Sequence, residues 1–417
     1  MMLMLPRMPL HCCKFFTRTK CCFRAIDKMI VLIPGICTGN WKAGRSGTLL
    51  LRRCLHRREC DSQYVQGKGP PWGVVFFGSD AFAAETLRSL IKARTDGMVG
   101  SLEVVVHKKA QKPIVELVDK AGLTCHVWPY MPPTHHSFHV GVVVSFSRLL
   151  PESLIAAFPY GIVNVHPSLL PRWRGPAPIM HTVLSGDSET GVCIVHIRPH
   201  KYDVGPILLR QTVPVHHRCT TQELTSSLAR IGADLLMRAL RDLPENVLCS
   251  IPQDEEGGTL APKPSVILAW VRWSQHTCEQ VDRLHRALHE RMPLRTLWTG
   301  QTLKILDLES PGNISLGQDV NHSAPGSLYF DKATRLLYVK CKDGWVGVRS
   351  LLFKKRLSAE DFYNGYLQVH FQRGGRLRAN ASSTKTSERP CFVSPSDDMI
   401  ARMVRVQVKT KYGMSPG

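Results

Sequence analysis

Three side chains near the middle of this chain could carry acyl transfer to an amine. Asn164 and His166 stand two residues apart in GIVNVH (161–166), and Asp203 follows in the turn K-Y-D-V-G. An amide offers a hydrogen-bond donor to an oxyanion. An imidazole, with an ordinary pKa of about 6.5, takes and returns a proton near neutral pH. A carboxylate can orient either one or hold a water for proton transfer. Taken singly, each has an ordinary structural role: a strand-end histidine is commonly only hydrogen-bonded, and Asp in D-V-G is a natural turn residue. The combination is what points to chemistry.

The stretch that follows, NVHPSLLPRWRGPAPI (164–179), has four prolines in sixteen positions. That is too many for a helix interior, and the run does not alternate like a strand. Prolines fix the backbone, so such a loop holds one shape at little entropic cost and can wall a cleft. Within it, Arg172, Trp173 and Arg174 could form a cation–π contact that only stabilises the loop, or a basic wall facing an anionic ligand.

The elements that must position these residues read as an α/β domain. VVFFG (74–78), LEVVV (102–106), VGVVVSF (140–146), GIVNVH (161–166) and TGVCIVHI (190–197) are short apolar runs of the buried-strand kind. AFAAETLRSLIKA (81–93), PIVELVDKAG (113–122) and PESLIAAFP (151–159) read as helices between them. This alternation predicts an open, Rossmann-like, mostly parallel sheet with its ligand cleft outside the carboxyl ends of the strands. Strand periodicity puts Asn164 and His166 on one face at such an end. No G-x-G-x-x-G follows the first strand and no phosphate-binding P-loop occurs, so no nucleotide cofactor is expected.

Further on, KYDVGPILLRQTVPV (201–215) is extended, and Thr220 with Glu223 forms a capping box opening a long helix over 220–243. DEEGGTLAPKPS (254–265) reads as a linker, and VRWSQHTCEQVDRLHRALHE (271–290) as a helix. Short strands with glycine turns then suggest a small, OB-like β-barrel. The expected organisation is a leader over 1–66, a catalytic domain over 72–253, a linker over 254–269, a barrel over 270–368 and a basic, disordered or surface tail over 369–417.

Charge adds a partner class. Lys plus Arg number 54 against 33 acids, a formal net of +21. The first 60 residues hold twelve of those cations and only two acids, Asp27 and Glu59, a pattern suited to organelle import. Without them the remainder still carries +11, which favours a polyanionic partner. Lys354, Lys355 and Arg356 fall in the barrel and are the expected contacts there for such a partner. The seven cysteines after Cys60 are scattered with no C-x-x-C pair, so neither a metal site nor a disulfide framework is expected and a reducing compartment such as the mitochondrial matrix fits. No stretch reaches the roughly 18–20 apolar residues of a membrane span. The expectation is a monomer with no membrane partner.

The run VNVHPSLLPRWRGPAPI, followed about forty residues later by D-x-G, resembles the folate-dependent formyltransferases. The resemblance extends from VVFFGSDAFA (74–83) through FSRLLPE (146–152), SGDSETGV (185–192), DVGPIL (203–208) and LAPKPS (260–265) to GWVGVRSLLFKKRLSAEDFYNGY (344–366). Its DF-x-NG ending narrows it toward the members that act on methionyl-tRNA. It implies 10-formyltetrahydrofolate as donor, with no metal or nucleotide, and initiator methionyl-tRNA as acceptor. Asn164, His166 and Asp203 match the family's catalytic trio, with Asn164 and His166 as oxyanion donors. The pterin is expected against the backbone of Phe146, Ser147, Arg148 and Leu149 and the loop Ser168, Leu169, Leu170 and Pro171. Family members carry a longer basic insertion after the second strand. Here only VHKKAQKP (106–113) stands, so Lys108, Lys109 and Lys112 are the expected tRNA contacts there, with Arg172 and Arg174 beside the cleft. Three rivals share some of these features: a transferase to a small amine, a 10-formyltetrahydrofolate hydrolase, and a catalytically silent RNA-binding protein.

Overall fold

The structure is a computed structural model, and it describes residues 69–133, 138–254, 256–309, 323–368, 391–400 and 402–403. The expected leader (1–66) and the basic run 372–390 lie outside the described residues.

Seven strands make the first sheet: β1 (Trp72–Gly78), β2 (Val99–Val106), β3 (Thr124–Val127), β4 (Val140–Val144), β5 (Ile162–His166), β6 (Glu189–His196) and β7 (Ile207–Pro214). Their order is β3-β2-β1-β4-β5-β6-β7. The chain runs outward from β1 to β3, then crosses back to place β4 on the other side of β1. That reversal leaves a crevice at the carboxyl ends of β1 and β4. The first five strands in sequence pair in parallel, whereas β6 pairs antiparallel with both β5 and β7. The sequence missed β3, because TCHV is a largely exposed edge strand without an apolar run.

Strand alternation splits the core. Trp72, Val74 and Phe76 of β1 face one layer, which holds helices α1 (Ala81–Thr95) and α2 (Lys112–Ala121). Val75 and Phe77 face the other, with Phe146, Leu154 and Phe158 around α3 (Glu152–Ala156). Helix α4 (Pro178–Ser185) follows the proline-rich loop, and α5 (Thr221–Arg241) leads to the short α6 (Leu243–Leu248). The expected capping box forms: the Thr220 hydroxyl accepts from the Glu223 amide, and the Glu223 carboxylate accepts from the Thr220 amide. The Trp72 indole donates to the Leu240 carbonyl at 2.7 Å, tying β1 to the end of α5.

A second, antiparallel sheet follows: β8 (Leu294–Trp298), β9 (Gln301–Glu309), β10 (Leu328–Asp331), β11 (Leu336–Lys340), β12 (Trp345–Phe353) and β13 (Lys355–Ser358). Its order is β10-β11-β12-β9-β8, with β13 on β12. Thr299 and Gly300 both take positive φ (47° and 78°), as a two-residue β8–β9 hairpin needs. Two expectations change here. The helix expected over 271–290 is α7 (Cys278–Leu288). It starts late because Thr277 and Gln280 form a capping box, while Val271 and Trp273 before it are buried in extended or turn backbone. Within the segment expected to be a disordered or surface tail, the described residues 391–393 dock on the sheet: Leu297 and Val393 exchange two backbone hydrogen bonds of 2.9 Å, Cys391 bridges Ser327, and Phe392 is 2 % exposed. The short apolar run CFV is enough to dock there despite its polar flanks.

Helix α7 joins the second sheet to the first domain. The Arg283 guanidinium donates to the Ser185 carbonyl at the end of α4. Buried Asp282 accepts from Arg286 Nε at 2.7 Å and faces Arg218 Nη2 at 3.4 Å, while Arg286 Nη1 donates to the Cys219 carbonyl. Removing one member of a buried ion pair strands the other charge. Asp282→Ala is therefore expected to lower the unfolding free energy by about 3 kcal/mol, read from the midpoint of denaturant unfolding at constant m.

Candidate active site

Strand β5 sends Val163 and Val165 into the core and Asn164 and His166 to the opposite face. Asp203 arrives from the loop between β6 and β7 with φ of 54°, a left-handed conformation that Asp tolerates better than most residues. The D-V-G turn needs its glycine, because a Cβ at Gly205 would lie 1.7 Å from the His196 carbonyl oxygen.

The Asp203 carboxylate is the hub of the site. Its Oδ1 accepts from Asn164 Nδ2 at 3.1 Å and stands 3.5 Å from His166 Nδ1. Its Oδ2 accepts from the Gly175 amide at 3.0 Å. His166, buried at 4 % exposure, places Nε2 3.0 Å from the Trp173 carbonyl oxygen. A carbonyl only accepts, so Nε2 carries the hydrogen. Nδ1 is then the nitrogen left to accept a proton, beside a carboxylate that stabilises the resulting imidazolium. The sequence reading had His166 as an oxyanion donor. In this geometry its Nε2 hydrogen is engaged by the Trp173 carbonyl, while Asn164 Nδ2 donates one of its two hydrogens to Asp203.

The proline-rich loop is held from two sides. Buried Ser168 donates from Oγ to the Arg172 carbonyl at 2.7 Å, and Leu170 packs inward with Cys193, Val195 and Ile207. These side chains shape the loop and leave Leu169 and Pro171 half-exposed along it. Arg172 makes a two-pronged contact with Asp187 (2.9 and 2.6 Å), the Trp173 indole donates to the same carboxylate at 2.8 Å, and the guanidinium lies 4.3 Å over the Trp173 ring. Asp187 had no assigned role in the sequence reading. Arg174 turns to Gln253 and the Asp254 carbonyl. Both arginines, expected at the tRNA, therefore have intramolecular partners that hold the loop.

The segment read as a linker is the other brace. Arg174 donates its amide to the Thr259 carbonyl (2.8 Å), Ala261 donates to the Arg174 carbonyl (2.7 Å), and the Trp173 amide donates to the Thr259 hydroxyl (2.9 Å). The close approach requires Gly175, whose φ is 119° and whose added Cβ would lie 3.0 Å from the Ala261 carbonyl oxygen.

Residues 134–240 match the formyl transferase family, and residues 267–367 match the formyl transferase C-terminal domain. The mitochondrial methionyl-tRNA formyltransferase of Mus musculus is 43 % identical over 379 residues, covering 86 % of this chain and 95 % of the relative. The chain belongs to the methionyl-tRNA formyltransferase family. The Homo sapiens mitochondrial enzyme is 44 % identical over 80 % of this chain and 87 % of its own length. The methionyl-tRNA formyltransferase of Roseiflexus castenholzii is 31 % identical over 73 % of this chain and 98 % of its own. Among solved structures, an N-formyltransferase from Helicobacter canadensis in complex with folinic acid and dTDP-3-aminofucose superposes with a TM-score of 0.51 at 16 % identity, over 66 % of this chain and 98 % of that one. That similarity is one of fold.

In this formyltransferase the carboxyl ends of β1 and β4 bring Asp80 and Ser145 together. Asp80 caps α1 by accepting from the Ala83 amide at 2.9 Å. Burial pushes its carboxyl up, against the lowering pull of hydrogen bonds from Ala83, Ser145 and Phe82. Above it, Ser145 and Ser147 take φ of 50° and 53°, flanking a buried Phe146. The Phe146 ring stacks 4.3 Å from His107, whose Nε2 lies 2.5 Å from the Phe146 carbonyl oxygen. Arg148 and Leu149 are exposed at the rim. Sequence reasoning passed over His107. Its only local signal was its place at the head of KKAQKP, where Lys108, Lys109 and Lys112 are exposed. On the second sheet, Lys354, Lys355 and Arg356 are exposed at the β12–β13 turn, with Arg356 3.2 Å from Asp307.

Proposed function

We propose that this protein transfers the formyl group of 10-formyltetrahydrofolate to the α-amino group of methionyl-tRNA, giving formylmethionyl-tRNA for translation initiation in mitochondria. The observation that carries the reading is the Asp203 carboxylate, which gathers Asn164, His166 and the Gly175 amide at a strand end. The relatives' names supply the substrate and the compartment.

The reaction follows from those atoms. The amine nitrogen attacks the formyl carbon, and the formyl oxygen becomes an oxyanion. The free N–H of Asn164 stabilises that charge. The proton lost by the amine passes to His166 Nδ1, and Asp203 stabilises the imidazolium. Collapse of the tetrahedral intermediate breaks the bond to folate N10, which takes the proton back from His166. The formyl donor is already activated, so no nucleotide is consumed. The backbone at Phe146–Leu149 and Ser168–Pro171 walls the folate.

The reading assigns catalysis to residues 72–253 and tRNA docking to 270–368, with 254–269 between them. One chain supplies both cleft and basic barrel, which supports action as a monomer. Among the described residues no helix is long and apolar enough to cross a membrane. Lys108, Lys109, Lys112, Lys354 and Lys355 are the proposed phosphate contacts. Replacing Lys354 and Lys355 with alanine is expected to raise KM for tRNA and flatten its log–log salt dependence by about 1–2. KM for folate should stay put, and an unchanged salt slope would take that turn out of the tRNA footprint.

The direct test incubates protein lacking residues 1–66 with 10-formyltetrahydrofolate and methionyl-tRNA and follows formylmethionine on the tRNA. Folate turnover without formylated tRNA would replace this reading with a hydrolase or small-amine transferase. No turnover, with tRNA still bound, would leave an RNA-binding protein.

A further inference from the structure

Two separate loops frame the catalytic trio beside β5. Trp173 and Gly175 belong to the proline-rich loop after β5, and Asp203 to the loop after β6. Neither loop donates directly to the other's backbone carbonyls near the hub. One side chain from a third segment spans them. Gln253 Nε2 donates to the Asp203 carbonyl and to the Gly205 carbonyl, each at 2.8 Å. Its Oε1 accepts from Arg174 Nε at 3.1 Å and Nη2 at 2.9 Å.

Both amide hydrogens and the amide oxygen are thus used, which fixes the amide's orientation without ambiguity: the end that faces two carbonyls must be the NH2, and the end that faces a guanidinium must be the oxygen. The bracket acts where the backbone is least at ease. Asp203 holds a left-handed φ of 54°, and Gly205 sits where no Cβ fits against the His196 carbonyl. A side-chain donor on both carbonyls of that turn keeps it from relaxing. Through Arg174 the same amide fixes the loop whose Trp173 carbonyl orients His166 and whose Gly175 amide holds Asp203 Oδ2.

We infer that Gln253 is a positioning residue for formyl transfer: it sets the distance between the Asp203 carboxylate and His166 by locking the two loops together from the last residue before the interdomain segment. The inference rests on the transferase reading above. Gln253 need touch neither the folate nor the tRNA. Its effect is confined to the alignment of groups that already touch the reacting atoms, and small misplacements of such groups cost rate rather than affinity.

Two variants separate this from a role in stability alone. Gln253→Ala removes all four hydrogen bonds. Gln253→Glu keeps the size and the acceptor for Arg174 but replaces the donor to the two carbonyls with an acceptor. For both, kcat is expected to fall about 10- to 100-fold, with KM for methionyl-tRNA and for 10-formyltetrahydrofolate within about twofold and Tm within a few degrees of the parent. Wild-type kcat in Gln253→Glu would overturn the proposal, since the donors would then not matter. A fall in kcat matched by a rise in either KM, or by a large loss of Tm, would also overturn it and leave a binding or folding role. The parent enzyme is assayed in parallel: if it forms no formylmethionyl-tRNA, the transferase reading itself has failed, a result distinct from an active parent with insensitive variants.

Discussion

Replacing His166 with alanine is expected to lower kcat about 10³-fold while changing the affinity for methionyl-tRNA less than about twofold. The imidazole is buried, hydrogen-bonded at Nε2 and paired with a carboxylate at Nδ1, so it has no surface to offer to tRNA phosphates. Its loss therefore removes proton transfer and leaves docking intact. Alanine also removes packing, and His166→Gln separates the two effects. A glutamine amide can still donate to the Trp173 carbonyl and fill much of the space, but it cannot take a proton near neutral pH. It should recover thermal stability without recovering turnover. Added imidazole is expected to restore part of the activity of His166→Ala and none of that of His166→Gln. Single-turnover formylation, filter binding of methionyl-tRNA and melting curves measure the three quantities. Near-parental turnover in His166→Gln would remove His166 from the proton path and leave it as a prop for the Trp173 loop.

Much of this site is written in local sequence. Asn164 and His166 fall on one face because a strand repeats every two residues, and Asp203 stands in a D-V-G turn whose glycine the structure requires. Thr220 and Glu223 mark the start of α5 by a reciprocal bond that needs nothing outside four residues. What could not be read there depends on partners far along the chain. Arg172 and Arg174 look like a basic wall until Asp187 and Gln253 are brought beside them by the packing of α4 and the interdomain segment. The Gly- and Pro-rich composition over 254–265 marks irregular backbone correctly, yet composition says nothing about which carbonyls that backbone will meet. Strand β6 is as apolar as a buried parallel strand would be, and only its register with β5 shows the reversed direction. Phe392 is a single aromatic in a polar tail, and its burial depends on the gap beside β8 rather than on any pattern around it.

Asp203→Asn is expected to reduce kcat by about 10³-fold with the fold intact. The substitution is nearly isosteric, so the argument turns on hydrogens and charge. Asp203 presents two acceptors, Oδ2 to the Gly175 amide and Oδ1 to Asn164 Nδ2, with the unprotonated His166 Nδ1 3.5 Å from Oδ1. An asparagine has one acceptor and one donor. If its oxygen stays with Gly175, its NH2 meets the NH2 of Asn164 and can donate to His166 Nδ1, which occupies the lone pair that should receive the amine proton. If the amide flips, its NH2 meets the Gly175 N–H and the loop holding Trp173 is pushed away. Both arrangements also lose the negative charge that stabilises the imidazolium. The double variant Asp203→Asn/His166→Ala distinguishes how the carboxylate acts. If Asp203 works through His166, the double variant should be little slower than His166→Ala alone, because residues that act as a unit are far from additive. Fully additive losses in single-turnover rates would mean that the carboxylate acts on the attacking amine directly, and His166 would then be one of two separate routes for the proton.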